Sequence, residues 1–255
     1  EKVIRQSQYF LFDNEKSIDY GVENVNTESG LVEESFLVSR SVNETYIKGR
    51  SEPYTEGVKR ESKQFPLNFY VGENYDEKKI RAIKRWLDVD DYKPLAFSEN
   101  LDIVYYAMPV DTSDLVHNAA RHGYVRLTMK CNSPYAYSRN TSTHSFDISS
   151  GMKIIELQNK GDVAIYPTVE ILKIGDGDVK IENLSDYTEP FIFSNLKDRE
   201  IVKVNGVKEI IESSLYGNER YDDFNDNYIR LDYGKNRLKV TGKCKLRFTF
   251  RFKYR

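Results

Sequence analysis

Residues Phe65–Ser138 read FPLNFYVGENYDEKKIRAIKRWLDVDDYKPLAFSENLDIVYYAMPVDTSDLVHNAARHGYVRLTMKCNSPYAYS. Within this stretch, residues 76–90 predict an amphipathic helix, because apolar side chains recur at spacings of three and four. These side chains are Ile80, Ile83, Trp86 and Leu87. Around the helix, apolar residues alternate with others, as at Phe65, Leu67 and Phe69, which is typical of half-buried strands. The stretch therefore predicts a mainly β domain with a single helix.

The predicted helix has a recognisable start and stop. Asn74 and Glu77 have the spacing of a capping box, with an asparagine in place of the usual serine or threonine. Asp76 and Glu77 also suit a helix N-terminus through their negative charge. Pro94 lies beyond the helix and prevents its continuation.

The second half of the chain predicts almost only strands. Asn205-Gly206, between Ile201–Val204 and Val207–Ile211, predicts a hairpin with a type I′ turn. The last strand alternates most regularly, with these residues on one face: Leu246, Phe248, Phe250 and Phe252. Many short strands separated by turn signals predict a β-sandwich.

A polar segment separates the two halves. Residues 138–151, SRNTSTHSFDISSG, are rich in Ser, Thr, Asn and Gly, and they predict a linker. The sequence therefore predicts two domains, 1–140 and 141–255.

Composition limits the classes of function. A chain of 255 residues with 31% charged and 39% hydrophobic residues is ordinary for a globular protein with ample core. The net charge of −2 and the lack of a basic stripe argue against a surface that grips nucleic acid. No run approaches the ~18 apolar residues of a membrane span, so no membrane partner is expected.

The cysteines and histidines do not predict a reactive or metal-binding site. Cys131 and Cys244 are far apart and predict two buried free thiols. His117 and His122 have no nearby cysteine, which makes a weak case for zinc, and His144 stands alone. A nucleophilic pair of Cys131 with a histidine lacks an orienting third group. We therefore expect no catalytic residue, no metal and no cofactor.

One acidic run partly resembles a calcium loop. Asp223, Asn225 and Asn227 follow its first ligand spacings. Tyr228 stands where the loop needs glycine, however, and Gly234 stands where it needs the bidentate glutamate. A solvated loop is the prediction here, with a calcium site of another geometry as the alternative.

Three tyrosines near carboxylates are candidates for stacking on sugar rings: Tyr216, Tyr221 and Tyr228. The alternative is that they pack at the ends of a sandwich, since a tyrosine ring is apolar and only its tip is polar.

The order of motifs resembles the distal tail protein (Dit) family of bacteriophages with long non-contractile tails. The residues that carry the resemblance read DEKKIRAIKRWL, YKPLAFSEN, YYAMPV and GYVRLTMKCNSPYAYS in the first half. A looser match continues through QNKGDVAIYPTVEI, NDNYIRLDYGKNRLKVTG and FTFRFKYR.

This resemblance implies a structural virion protein without enzymatic activity. It implies a ring-forming N-terminal β-rich domain and a galectin-like C-terminal β-sandwich, assembled as a homo-oligomer, usually a hexamer. The ring would join the tail tube protein to the tail-tip or tape-measure and receptor-binding proteins. DNA would pass its lumen without tight binding. The protein would be made in the bacterial host cytoplasm and act at the phage tail tip in host attachment. The alternative is a carbohydrate-binding module that recognises sugars of the host cell wall.

The segment from residue 40 to residue 60 is the candidate for contact between copies. Its first part predicts strands at Phe36–Val42 and Tyr46–Gly49, joined by Asn43-Glu44, and the polar residues Arg50–Lys63 that follow predict a loop or an extended arm. The candidate interface residues are Arg40, Arg50, Tyr54 and Arg60, since arginine and tyrosine are favoured in interface cores. The alternative is a free surface loop.

Overall fold

The computed structural model describes residues 7–25, 38–72, 76–117, 123–186, 188–215, 217 and 219–255. The chain divides into two compact units, one of Glu1–Arg139 together with Arg255 and the other of Asn140–Tyr254. The described residues form many strands and one α-helix, which confirms the predicted mainly β fold. None of their helices is long and apolar enough to cross a membrane.

The first unit is built on one large antiparallel sheet. Its elements are β1 (Phe10–Phe12), β2 (Glu15–Lys16), a 3-10 turn (Ser17–Tyr20), β3 (Glu23–Asn24), β4 (Arg40–Thr45), β5 (Tyr54–Arg60), β6 (Gln64–Tyr70), α1 (Glu77–Leu87), β7 (Lys93–Phe97), β8 (Asn100–His117), β9 (Gly123–Cys131) and β10 (Ala136–Ser138). The sheet has the strand order β2-β1-β7-β8-β9-β6-β3, and β10 pairs with β8. Within the part of the chain that the structure describes, strands β4 and β5 pair only with each other, in a separate two-stranded sheet.

Helix α1 begins with a cap that differs from the predicted one. The carboxylate of Asp76 accepts a hydrogen bond from the backbone N–H of Lys79 at 2.7 Å, which makes Asp76 the N-cap. The predicted cap, Asn74, lies outside the described residues. An aspartate at this position satisfies a free N–H and places a negative charge at the positive end of the helix.

The helix also ends three residues before the predicted end. Asp88 leaves the helical conformation with a ψ of 88°, and the helix stops at Leu87. Asp88, Asp90 and Asp91 follow in sequence, and their charges oppose the negative C-terminal end of a helix dipole. These charges disfavour a longer helix, which ends well before Pro94.

The predicted apolar face of α1 packs on the sheet. Ile83, Trp86 and Leu87 are buried, and Ile80 is half-buried. The ring of Trp86 stacks on Phe10 and on Tyr20, with centroid distances of 5.6 and 4.4 Å. Stacked rings of this kind bury large apolar areas, so this contact fixes the helix on the sheet.

The second unit is a β-sandwich. Its elements are β11 (Ser142–Asp147), β12 (Met152–Asn159), β13 (Thr168–Lys173), β14 (Gly177–Asn183), β15 (Phe191–Leu196), β16 (Ile201–Asn205), β17 (Ile210–Ser213), a 3-10 turn (Arg220–Asp223), β18 (Gly234–Thr241), β19 (Cys244–Phe250) and β20 (Lys253–Tyr254). One sheet has the order β11-β19-β13-β16-β17 and the other β12-β18-β14-β15. Side chains from both sheets form one core, with Ile171 and Phe248 from the first and Val179 and Phe193 from the second.

The predicted linker, residues 138–151, is in part a strand. β11 occupies its centre and pairs with β19 from Ser142 to Asp147. The ring of His144 stacks on Phe250 at 5.7 Å, and Phe146 packs against the core. Polar composition misled the prediction, because a strand needs an inward-facing group only at every second residue.

The connection between β16 and β17 is longer than the predicted two-residue turn. Asn205 pairs with Ile210, and the Asn205 side chain accepts from the N–H groups of Val207 and Lys208. Glu209, with a φ of 57°, takes the left-handed conformation in place of the Asn-Gly pair. Gly206 serves close packing instead, because a Cβ there would lie 2.8 Å from the carbonyl oxygen of Pro167.

Candidate assembly surface

The predicted loop-like arm is a β-hairpin, which we call the arm hairpin (β4 and β5). Asn43-Glu44 does not form a turn, since Asn43 pairs with Gly57 and Glu44 pairs with Thr55. A β-bulge lies at this point of the strand pair, where the sequence suggested a turn. The part of the predicted first strand at 36–37 lies outside the described residues.

The base of the arm hairpin has two arginines side by side. Arg40 and Arg60 are direct cross-strand partners, both exposed. Like charges directly opposite each other destabilise a strand pair, so this position favours a carboxylate from elsewhere. Next to it, Val42 and Val58 pair directly and are each about half exposed, at 51% and 50%.

The far end of the arm hairpin, residues 46–54, is its tip. The backbone N–H of Arg50 donates to the carbonyl oxygen of Ile47 at 3.1 Å, which closes the turn. The guanidinium of Arg50 lies 4.2 Å from the centre of the Tyr54 ring. Such a contact favours one position of the cation over the ring. Tyr46, 74% exposed, and Ile47 add apolar area to the same tip.

The structure thus places all four predicted interface residues on one hairpin, as two separate pairs. Arg40 and Arg60 lie at the base, and Arg50 and Tyr54 lie at the tip. Sequence reasoning missed four apolar residues of the same hairpin: Val42, Val58, Tyr46 and Ile47. The signal was available in Arg40-Ser-Val-Asn-Glu-Thr, where a β-branched residue sits among polar ones as on a solvated strand.

The candidate sugar-binding tyrosines have other contacts in the structure. The hydroxyl of Tyr221 accepts from the backbone N–H of Ile211 in β17 at 3.3 Å. The ring of Tyr228 packs edge-on against Phe224 at 5.1 Å, and burial raises the pKa of Tyr228. Tyr216 lies outside the described residues. Tyr221 therefore covers a sheet edge and Tyr228 packs against the core.

The predicted solvated loop around Asp223–Tyr228 has Asn225 and Asp226 exposed, and one of its residues anchors it in the core. Phe224 is buried and lies 4.9 Å from the ring of Phe191 and 5.7 Å from that of Phe193. Sequence reasoning missed this anchor because acidic neighbours outweighed one phenylalanine in the composition.

The oxygens with calcium-loop spacing accept hydrogen bonds from the protein itself. The carboxylate of Asp223 accepts from Arg220 at 2.7 Å and from the amide of Asn195 at 3.0 Å. The side-chain oxygen of Asn225 accepts from the N–H of Ile192 at 2.9 Å. These oxygens hold the loop on the sandwich.

A buried ion pair fastens the same loop. Arg220 donates from Nε and Nη2 to the carboxylate of Glu200, both at 2.9 Å, and the two side chains are almost fully buried. Ser213 and the backbone N–H of Lys197 also donate to Glu200. Sequence reasoning missed this pair, because two residues that are 20 positions apart give no sequence signal of a contact.

Both cysteines are buried free thiols, as predicted. Burial raises the pKa of Cys131 to about 12 and that of Cys244 to about 11. A nucleophilic cysteine needs the thiolate, so burial works against catalysis at either position. His122 and the side chain of His117 lie outside the described residues.

The comparisons with known proteins find that this chain is similar to phage tail proteins. A family model described as "Phage tail protein N-terminal domain" matches residues 5–133, and one described as "Phage tail C-terminal domain" matches residues 135–250. A relative from Bacillus subtilis (strain 168), the SPbeta prophage-derived uncharacterized protein YomH, is 52% identical over 252 residues. The match covers 99% of this chain and 100% of that protein.

The fold is similar to that of a solved tail protein. SPP1 Dit (gp 19.1), described as a paradigm of the hub adsorption apparatus in phages that infect Gram-positive bacteria, matches with a TM-score of 0.71 and 16% identity. The match covers 96% of this chain and 98% of that one. It confirms the distal tail protein fold that the resemblance predicts. With both family models matched in order along its length, the chain belongs to the phage tail protein family that those two domains define.

Proposed function

We propose that this protein is the distal hub of a phage tail, a structural part that joins the tail tube to the tail-tip and receptor-binding proteins. The observation that carries the proposal is the combination of phage tail family membership with the SPP1 Dit fold over 96% of the chain. The protein acts in the virion, at the tail tip, after synthesis in the host cytoplasm.

The hub is a closed ring, most simply of six copies, built through the first unit. Support comes from the arm hairpin, which pairs with no other strand among the described residues and has half-exposed valines on one face. A two-stranded hairpin alone is marginally stable in water. A neighbouring copy that covers it supplies the missing burial. A tail tube needs a ring to continue its axis, and a head-to-tail contact closes into a ring when its rotation divides the circle.

DNA passes through the lumen of this ring without tight binding. The net charge of −2 supports passage, because a protein that grips DNA must neutralise many phosphates. The domain roles follow the predicted division, with residues 1–140 in the ring and residues 141–255 as galectin-like sandwiches. The protein has no catalytic step to perform, and the raised pKa of both thiols supports a purely structural role.

The test is electron microscopy of the purified full chain, alone and mixed with the tail tube protein. We expect six-fold symmetric rings with an open centre, attached to one end of the tubes. A matched variant has residues 40–60 replaced by a short Gly-Ser linker, and we expect it to keep its melting transition but form no rings. A wild-type chain that neither forms rings nor caps tubes would contradict the proposal. Tight, salt-dependent DNA binding would contradict passive passage.

A further inference from the structure

We infer that the tip of the arm hairpin binds an acidic loop on a second copy of this chain, the loop that holds Asp88, Asp90 and Asp91. This inference rests on the proposed function, and it names the partner surface of the same hairpin. It goes beyond a ring contact in general because it identifies two different, charge-complementary surfaces on one chain.

The tip is cationic and partly apolar. Lys48 and Arg50 are exposed there, and within the described residues neither forms an ion pair. Arg50 is held on the Tyr54 ring, and Gly49, with a φ of 93°, allows the tight turn between the two cations. Glu52 is the acidic residue of the tip, so Lys48 and Arg50 leave it with a net positive charge. Arginine and tyrosine held in a fixed geometry are typical of interface anchors.

The acidic loop, residues 88–91, has the opposite character. Asp88, Asp90 and Asp91 are all exposed, and in the part of the chain that the structure describes none of them forms an ion pair. Three unpaired carboxylates within four residues repel one another, so a cationic partner is favourable. Tyr92, also exposed, follows directly and offers a ring beside the carboxylates.

The points at which the two surfaces join the large sheet lie level with each other, near the middle of β8. Lys93, just after the acidic loop, pairs with Ala107 of β8, and Ala107 pairs with Cys131 of β9. The N–H of Cys131 donates to the carbonyl oxygen of Lys63, three residues after the arm hairpin ends. Three strand spacings therefore separate the two attachment points, roughly 14 Å across the sheet.

This arrangement suits contact between copies that stand side by side. The arm hairpin has strands of six and seven residues, so it reaches about 20 Å from its base. An arm attached on one side of the sheet and an acceptor on the other make a head-to-tail contact. Only a contact of this heterologous kind closes into a ring of more than two copies.

The experiment is a charge swap in the full chain. One variant carries Lys48→Glu and Arg50→Glu, a second carries Asp90→Lys and Asp91→Lys, and a third carries all four changes. The control carries Arg199→Glu and Lys208→Glu, two exposed cations of the second unit, and has the same charge change as the first variant. Melting curves verify folding, and light scattering after size exclusion gives the mass of each assembly as a function of concentration and salt.

We expect each reversal alone to raise the concentration of half-dissociation at least about tenfold, since like charges at a contact are unfavourable. The combined variant should return close to the wild-type value, the control should match the wild type, and salt should weaken the wild-type assembly. An unchanged assembly after tip reversal would overturn the inference and leave the ring proposal standing. So would a combined variant that fails to recover.

A wild-type chain that is monomeric at every soluble concentration would also overturn the inference, because it requires the two surfaces to bind each other in the free protein. The hub proposal would then be decided separately by the mixture with tail tubes described above.

Discussion

The indole N–H of Trp86 donates a hydrogen bond of 3.0 Å to the carbonyl oxygen of Phe12, which lies 74 residues earlier in the chain. The same indole ring stacks on Phe10 and Tyr20. One side chain thus satisfies a strand carbonyl and fills the space between the helix and the sheet. Because the N–H is the only polar group of the ring, its partner lets the side chain be buried without leaving an unsatisfied donor.

Trp86→Ala should lower the free energy of unfolding by about 3–5 kcal/mol, as expected for a large aromatic side chain removed from a core. Arg85→Ala, at the neighbouring exposed position of the same helix, is the control and should change it by less than about 0.5 kcal/mol. Urea denaturation monitored by circular dichroism measures both. Equal effects of the two substitutions would show that the helix does not depend on this contact.

Arg220→Met should destabilise the second unit by about 3–5 kcal/mol, because it leaves the buried carboxylate of Glu200 without its cation. Arg199→Met provides the contrast. Arg199 also faces an acidic residue, Asp198, but its side chain is 91% exposed, so about 0–1 kcal/mol is expected. Thermal unfolding of the two variants gives the comparison, and a small loss for Arg220→Met would mean that water reaches Glu200.

The two thiols should not react with a disulfide reagent at pH 8 while the chain is folded. The raised pKa values, about 12 for Cys131 and about 11 for Cys244, keep both groups protonated there. In denaturant both should react, since an unfolded thiol titrates near pH 8.5. Burial raises the pKa of each thiol in the folded chain above its value in the unfolded chain. The stability that the buried, protonated thiols contribute is therefore complete below about pH 8.5 and is lost as pH rises towards 11–12. Rapid labelling of a folded chain would contradict this assignment.

Gly242→Ala should destabilise the sandwich more than Gly177→Ala does. Both glycines have a positive φ, of 112° and 128°, so both substitutions strain the backbone by at least about 1 kcal/mol. Only at Gly242 would the new Cβ also collide, 2.3 Å from the carbonyl oxygen of Asp178, whereas nothing lies within 4 Å at Gly177. Denaturation midpoints rank the two variants. A reversed order would mean that the turn beside Asp178 yields easily.

Local patterns predicted the elements that local forces determine. The spacing of Ile83, Trp86 and Leu87 predicted α1, and the alternation of Leu246, Phe248 and Phe250 predicted β19, because each pattern is a direct imprint of one buried face. The errors arose where pairing overrides local preference. Asn43-Glu44 lies within β4 because its cross-strand partners in β5 hold it extended.

The sequence predicted the candidate residues of the surface but not their arrangement. Arg40, Arg50, Tyr54 and Arg60 were found from residue type, but their division into base and tip depends on the register of two strands. The pair of Arg220 and Glu200 was out of reach, since distant residues meet only once the sandwich has formed. Long-range contacts of this kind leave no period in the sequence.

The segment Arg220–Tyr228 contacts an edge strand of each sheet of the sandwich. The hydroxyl of Tyr221 engages an outward N–H of β17, the last strand of one sheet. Asn225 engages both the N–H and the carbonyl oxygen of Ile192 in β15, the last strand of the other sheet. Open strand edges recruit strands from other molecules and lead to aggregates. One short segment thus covers part of an edge strand in each sheet, which makes pairing with a strand of another molecule less favourable at both places.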